Sequence, residues 1–88
     1  MMKRTLMKIA DMLREEYKLR SYDYWVTLDL PDGFERTVDG KRVGVEIYRG
    51  QEDDQSLEIV LSVYGPGPIS SRWHIIRTIV VPKRSAGR

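Results

Sequence analysis

Three short stretches, each with one carboxylate, are the first residues in this chain that could do chemistry. Pro31-Asp32 is followed by Asp39-Gly40-Lys41, and then by Val45-Glu46-Ile47-Tyr48. Two carboxylates brought together can hold a divalent cation, and a lysine beside them can help activate water for hydrolysis. The local context argues against that use. Asp39-Gly40 suits a two-residue hairpin turn in which both central residues take positive φ, so it already has a structural reason to be there. In the strand version Glu46 needs a lysine two positions on, and Tyr48 stands there instead. With 32% of residues charged, short patterns of this kind also arise by chance.

His74 is the one histidine, and there is no cysteine. A lone histidine cannot build a multi-histidine metal site, and the missing cysteines remove disulfides, thiolate nucleophiles and the usual structural zinc sites. Ser70 and Ser71 lie close to His74 in sequence, but a nucleophile and its base must meet in space. Glu52-Asp53-Asp54 lacks the alternating oxygen donors and the distant bidentate glutamate of a calcium loop, and reads as a solvated connection. The residues therefore point to no catalytic, metal or cofactor site, and the chain is expected not to be an enzyme.

The elements that would position any site are organised around Val43 to Tyr64. Val43, Val45 and Ile47, then Leu57, Ile59, Leu61 and Val63, alternate with period two on either side of a charged connection. That pattern predicts two half-buried antiparallel strands, Lys41 to Arg49 and Leu57 to Tyr64. Leu6, Ile9, Leu13 and Tyr17, with Met2 one step earlier, form the apolar stripe of an amphipathic helix from Lys3 to about Leu19, with Thr5 as a weak cap. Tyr22, Tyr24, Val26, Leu28 and Leu30 alternate and predict a further strand, ended by a turn at Pro31-Asp32-Gly33. Phe34 to Val38 follows as a short strand.

Gly65-Pro66-Gly67-Pro68 opens an irregular loop to Ser71. Arg72 to Val81 fits a helix stripe through Trp73, Ile76 and Val80, with Ser70 or Ser71 as cap. Its β-branched content favours a strand with Ile75, Ile79 and Val81 inward, at the cost of Arg77 on the same face. The fold class expected is α+β: an N-terminal amphipathic helix on one face of a four- to five-stranded, mainly antiparallel meander. Residues 1–82 are expected as one domain, followed by a disordered basic tail at 83–88.

One helix cannot cover both faces of such a sheet. If the alternating aliphatics face the helix, Tyr48, Val60 and Tyr64 face away, and Trp25 turns outward with Thr27. Trp73 joins them if the register of the last strand leaves His74 inside. Aromatic rings with polar tips are enriched at protein interfaces. Trp25, Tyr48, Tyr64 and Trp73 are thus the candidate partner-binding residues of a small interaction module, with a protein partner or a second copy. An inhibitor, immunity or accessory role is an analogy from size and architecture.

The alternative partner is nucleic acid. The net charge of +2 conceals +3 in residues 1–20, −6 in 21–64 and +5 in 65–88. Arg72, Arg77, Lys83 and Arg84 are the candidate residues for it, because basic charge beside aromatic rings is one way single strands are held. The ten acidic residues of the middle segment oppose that reading. The basic opening MMKRTLMKIADML lacks the uncharged core of a signal peptide, and no run nears the ~20 apolar residues that span a bilayer. A cytoplasmic location without membrane contact is expected.

Overall fold

Spacing of three and four along a helix places side chains on one stripe, and in the computed structural model Leu6, Ile9, Leu13 and Tyr17 form the buried stripe of α1 (Lys3–Tyr17). The structure describes residues 2–67 and 72–83. The expected loop at 68–71, with Ser70 or Ser71 as a cap, and the expected tail beyond Lys83 lie outside them. Each fully buried aliphatic of the stripe contributes about 1.5–3 kcal/mol relative to exposure. The start of α1 differs from the expected one. Met2 is the residue flanking the helix, no side chain caps it, and Thr5 lies inside the first turns.

The largest correction is at Tyr22 to Leu30. No strand forms there; Tyr22–Thr27 is a short helix, α2. Ser21 explains its start, because its hydroxyl oxygen accepts the Tyr24 N–H at 3.3 Å, and Asp23 sits in the first turn near the positive end of the helix dipole. The reward is burial. The turn carries Trp25 into the core at 0% exposure, 5.9 Å from the Tyr17 ring and edge-on to Tyr24 at 5.1 Å. A strand with its even-numbered residues inward would have left the indole outside.

Four strands complete the fold: β1 (Asp32–Val38), β2 (Lys41–Glu52), β3 (Ser56–Tyr64) and β4 (His74–Pro82). They form an antiparallel meander in the order β1-β2-β3-β4, so the fold is α+β as expected, with four strands. Asp39 (φ 53) and Gly40 (φ 77) make the β1–β2 turn with the positive φ values their types favour. Asp32 and Gly33, expected in a turn, are instead paired with Ile47 and Glu46 as the start of β1. β2 runs past Arg49 through a register shift to Glu52, and Glu58 there accepts the Gln51 N–H at 3.1 Å.

The near face of the sheet holds Val43, Val45, Ile47, Leu57, Ile59, Leu61 and Val63, all buried, with α1 packed over β3 and β4. Arg77 does fall on this face, and Asp11 of α1 answers it: Arg77 Nε donates to Asp11 Oδ1 at 2.6 Å. At the other side of α1, Arg36 donates to both carboxylate oxygens of Glu16, at 2.6 and 2.7 Å. Two arginines on the helix side of the two edge strands thus each clasp α1.

Candidate functional site

Period two puts the partners of those aliphatics on the opposite face, and no described element covers it. Cross-strand register assembles the rows: Gly44 beside Tyr64 and His74, Glu46 beside Ser62 and Ile76, Tyr48 beside Val60 and Thr78, Glu58 beside Val80. Ile76 and Val80 are 46% and 67% exposed, and Tyr48 is 38% exposed. Val60 and Ser62, on the central strand β3, are buried by their flanking side chains. Apolar and aromatic groups here lie in one contiguous band, which distinguishes a surface of consequence from scattered exposed residues.

At one end of the band the surface is built by a glycine. A Cβ on Gly44 would overlap the Tyr64 ring, so only glycine lets that ring lie flat across β2. Tyr64 is half-buried there and stacks on His74, with ring centroids 4.9 Å apart and 32° between planes. Beneath them Ser62 Oγ and His74 Nδ1 are 3.0 Å apart. This is the one serine–histidine contact among the described residues, and Ser70 and Ser71 lie outside them. Two features separate it from a nucleophile and its base. Ser62 is only 3% exposed, which leaves no approach for a substrate carbonyl, and among the described residues no carboxylate bonds the other imidazole nitrogen. The contact satisfies a buried hydroxyl.

At the other end of the band, Pro31, Asp32, Gly33, Glu46 and Tyr48 line an open depression of about 460 Å³. Asp32 and Glu46, the carboxylates considered for metal chemistry, both border it, but Asp32 pairs with Ile47 and Glu46 with Gly33, so the two side chains leave the sheet on opposite faces. Tyr48 fills the lysine position, and among the described residues no three acidic or histidine side chains gather as metal ligands. The acidic connection between β2 and β3 is likewise turn chemistry. Asp53 Oδ1 accepts the N–H groups of Gln55 and Ser56 at 2.8 and 2.9 Å, and these bonds hold its carboxyl below the usual aspartate range.

Of the four aromatic residues expected at the interface, Tyr48 and Tyr64 lie on the open face. Trp25 does not, because α2 buries it in the core. Trp73 does not either: His74 occupies the open face, and Trp73 packs half-buried against the core. Ile76 and Val80 are open-face residues that sequence reasoning placed only on the rejected helix stripe. The basic candidates also separate. Arg72 is exposed and Arg84 lies outside the described residues, whereas Arg77 is held by Asp11, and Lys83 pairs with Glu52 at 2.9 Å. The Arg77 guanidinium holds the Asp11 carboxyl below its usual range, and Glu52 raises the Lys83 ammonium above its own.

Among the described residues, no helix is long and apolar enough to cross a membrane. Set against protein-family models, curated proteins and solved structures, the chain finds no match in any of the three, so its function has to be argued from its own residues.

Proposed function

We propose that this protein is a non-enzymatic interaction module that binds a protein partner through the open face of its sheet. The observation that carries the reading is the contiguous band of Tyr48, Val60, Tyr64, Ile76 and Val80, uncovered by any described element on a sheet whose other face packs against α1. Four strands about 4.8 Å apart, paired over eight or so residues, give a flat footprint of roughly 400 Å². Corrugation raises the accessible area above that, towards the ~800 Å² per partner of a standard interface. The size suits one modest partner surface and the composition suits an aromatic anchor, Tyr48, inside a mixed rim that includes Glu46 and Glu58. A role as an inhibitor, immunity or accessory protein fits this size by analogy. Nucleic-acid binding through Arg72, Arg77, Lys83 and Arg84 has less support, since it would have to break the ion pairs of Arg77 and Lys83.

Affinity capture with the immobilised protein tests the reading. A partner should be retained by wild type and by Lys8→Ser, which alters the exposed side of α1, and lost with Tyr48→Ser. Retention that ignores Tyr48→Ser, or that fails equally with Lys8→Ser, would place the contact elsewhere.

A further inference from the structure

We infer that β4 pairs edge to edge with β4 of a second copy, antiparallel about a two-fold axis at Thr78, joining two four-stranded sheets into one of eight. The inference concerns the edge of the sheet; Ile76 and Val80 belong to both the edge strand and the open face, and Tyr48, on β2, belongs to the face alone.

Backbone direction comes first. Lys83 continues the β3–β4 register and donates its N–H to the Gln55 carbonyl at 2.9 Å. In an antiparallel ladder the bonded positions alternate. Odd-numbered residues of β4 therefore bond to β3, and His74, Ile76, Thr78, Val80 and Pro82 turn their backbone groups to the outer edge. Two independent features agree. Pro82, which has no N–H, falls at an outward position, where a proline is tolerated. The Ile76 carbonyl is reached from outside the ladder by Arg77, whose Nη1 donates to it at 2.9 Å.

Edge strands are ordinarily blunted by charge, and the two edges of this sheet differ in that respect. β1 carries Asp32, Glu35 and Arg36. β4 carries one charge, Arg77, which bonds Asp11 through Nε and the Ile76 carbonyl through Nη1, so Thr78 and Val80 are the outward positions it leaves open. α1 packs on the near face of β4 without closing its outer part. A groove of about 230 Å³ runs between Arg14, Glu15 and Lys18 of α1 and the outer part of β4, leaving space for the near-face side chains of an added strand.

The strand is complementary to itself in one register. An axis at Thr78 sets Thr78 against its own copy and Ile76 against Val80 of the second copy; the Ile76 carbonyl, which already accepts from Arg77 Nη1, then takes the Val80 N–H on its second lone pair. Pro82 then meets His74, so the missing N–H costs one bond at each end of the ladder. An axis at Arg77 would oppose two guanidiniums, and one at Ile79 would leave His74 unpaired. Ile76 and Val80, the most exposed apolar residues of the open face, become cross-strand neighbours.

Light scattering over a dilution series reads the outcome. Wild type should give twice the 10.3 kDa chain mass when concentrated and fall to the single mass on dilution. Ile76→Glu and Val80→Lys, both at exposed positions, should each hold the single mass. Their combination should regain the double mass, because it opposes a carboxylate to an ammonium at both crossings. Tyr48→Ser, two strands away, should leave the dimer intact. Amide hydrogen exchange of wild type needs no variant: protection at Ile76, Thr78 and Val80 should rise with the dimer fraction. A monomer at every concentration overturns the inference, as does a dimer that survives Val80→Lys or a combined variant that stays single. A dimer that dissolves with Tyr48→Ser also overturns it, and would support self-association through the face instead.

Discussion

Replacing Trp25 by alanine separates the observed helix from the strand that the alternation of Tyr22 to Leu30 suggested. The indole is 0% exposed and is packed between the rings of Tyr17 and Tyr24. Removing a fully buried tryptophan costs about 3–5 kcal/mol, from lost transfer energy and from the cavity it leaves. Two aromatic contacts vanish with it, each worth about 0.5–1.5 kcal/mol beyond area, partly inside the same total. For 88 residues the whole stability is about 4–13 kcal/mol, so Trp25→Ala should remove about a quarter of it or more. Urea unfolding followed by far-UV circular dichroism is the assay, with the midpoint falling and the slope unchanged. Tyr48→Ser, at a partly exposed position, should stay within about 1 kcal/mol of wild type in the same assay. If Trp25→Ala also stays within about 1 kcal/mol, the indole lies outside the core and the account of α2 is wrong.

Gly44→Ala should push the Tyr64 ring off β2 at a cost of about 1–3 kcal/mol. In a Tyr64→Ala background most of that cost should disappear, and a double-mutant cycle in urea measures the difference. The Arg36–Glu16 clasp should make stability depend on pH. Hydrogen bonds from Arg36 hold the Glu16 carboxyl below its usual range, so the ionised pair stabilises fully above the ordinary glutamate value of about 4.3 and loses its effect as pH falls through the folded value. Glu16 is 41% exposed, so Glu16→Gln should cost no more than about 1 kcal/mol at neutral pH. The two proteins should converge in acid, and a gap that persists there would assign the cost to something other than the charge.

Period two was enough to place Val43 to Ile47 and Leu57 to Val63 on the buried face, because Glu46, Glu58 and Ser62 interrupt the aliphatics at alternate positions. It failed at Tyr22 to Leu30 for a physical reason. Tyr22, Tyr24, Leu28 and Leu30 are all half-buried against the core, as an inward strand face would be, but they reach it from a helical turn and the chain that follows. Aromatic and β-branched residues fit a pleated surface without requiring one. The signal that could have decided was Ser21, with Asp23 two residues on, a helix start that local alternation outweighed. In the last element the β-branched count proved the better guide, and the strand it favoured is β4.

The parts of the surface that sequence did not disclose share one cause: they depend on what stands opposite. Ser62 meets His74 and Gly44 makes room for Tyr64 only once the register of three strands is fixed. Arg77 shows the same dependence from the other direction. On β4 alone it is a charge among inward aliphatics, which read as an argument against the strand. With α1 laid across, Asp11 accepts from Nε and the Ile76 carbonyl accepts from Nη1, so the guanidinium is satisfied at the strand's margin. That arrangement keeps β4 compatible with the helix above it while leaving its outward amides at Thr78 and Val80 without a charged neighbour on their own strand face. The residue that looked most out of place in the sequence is thus held twice, by the helix above it and by its own strand.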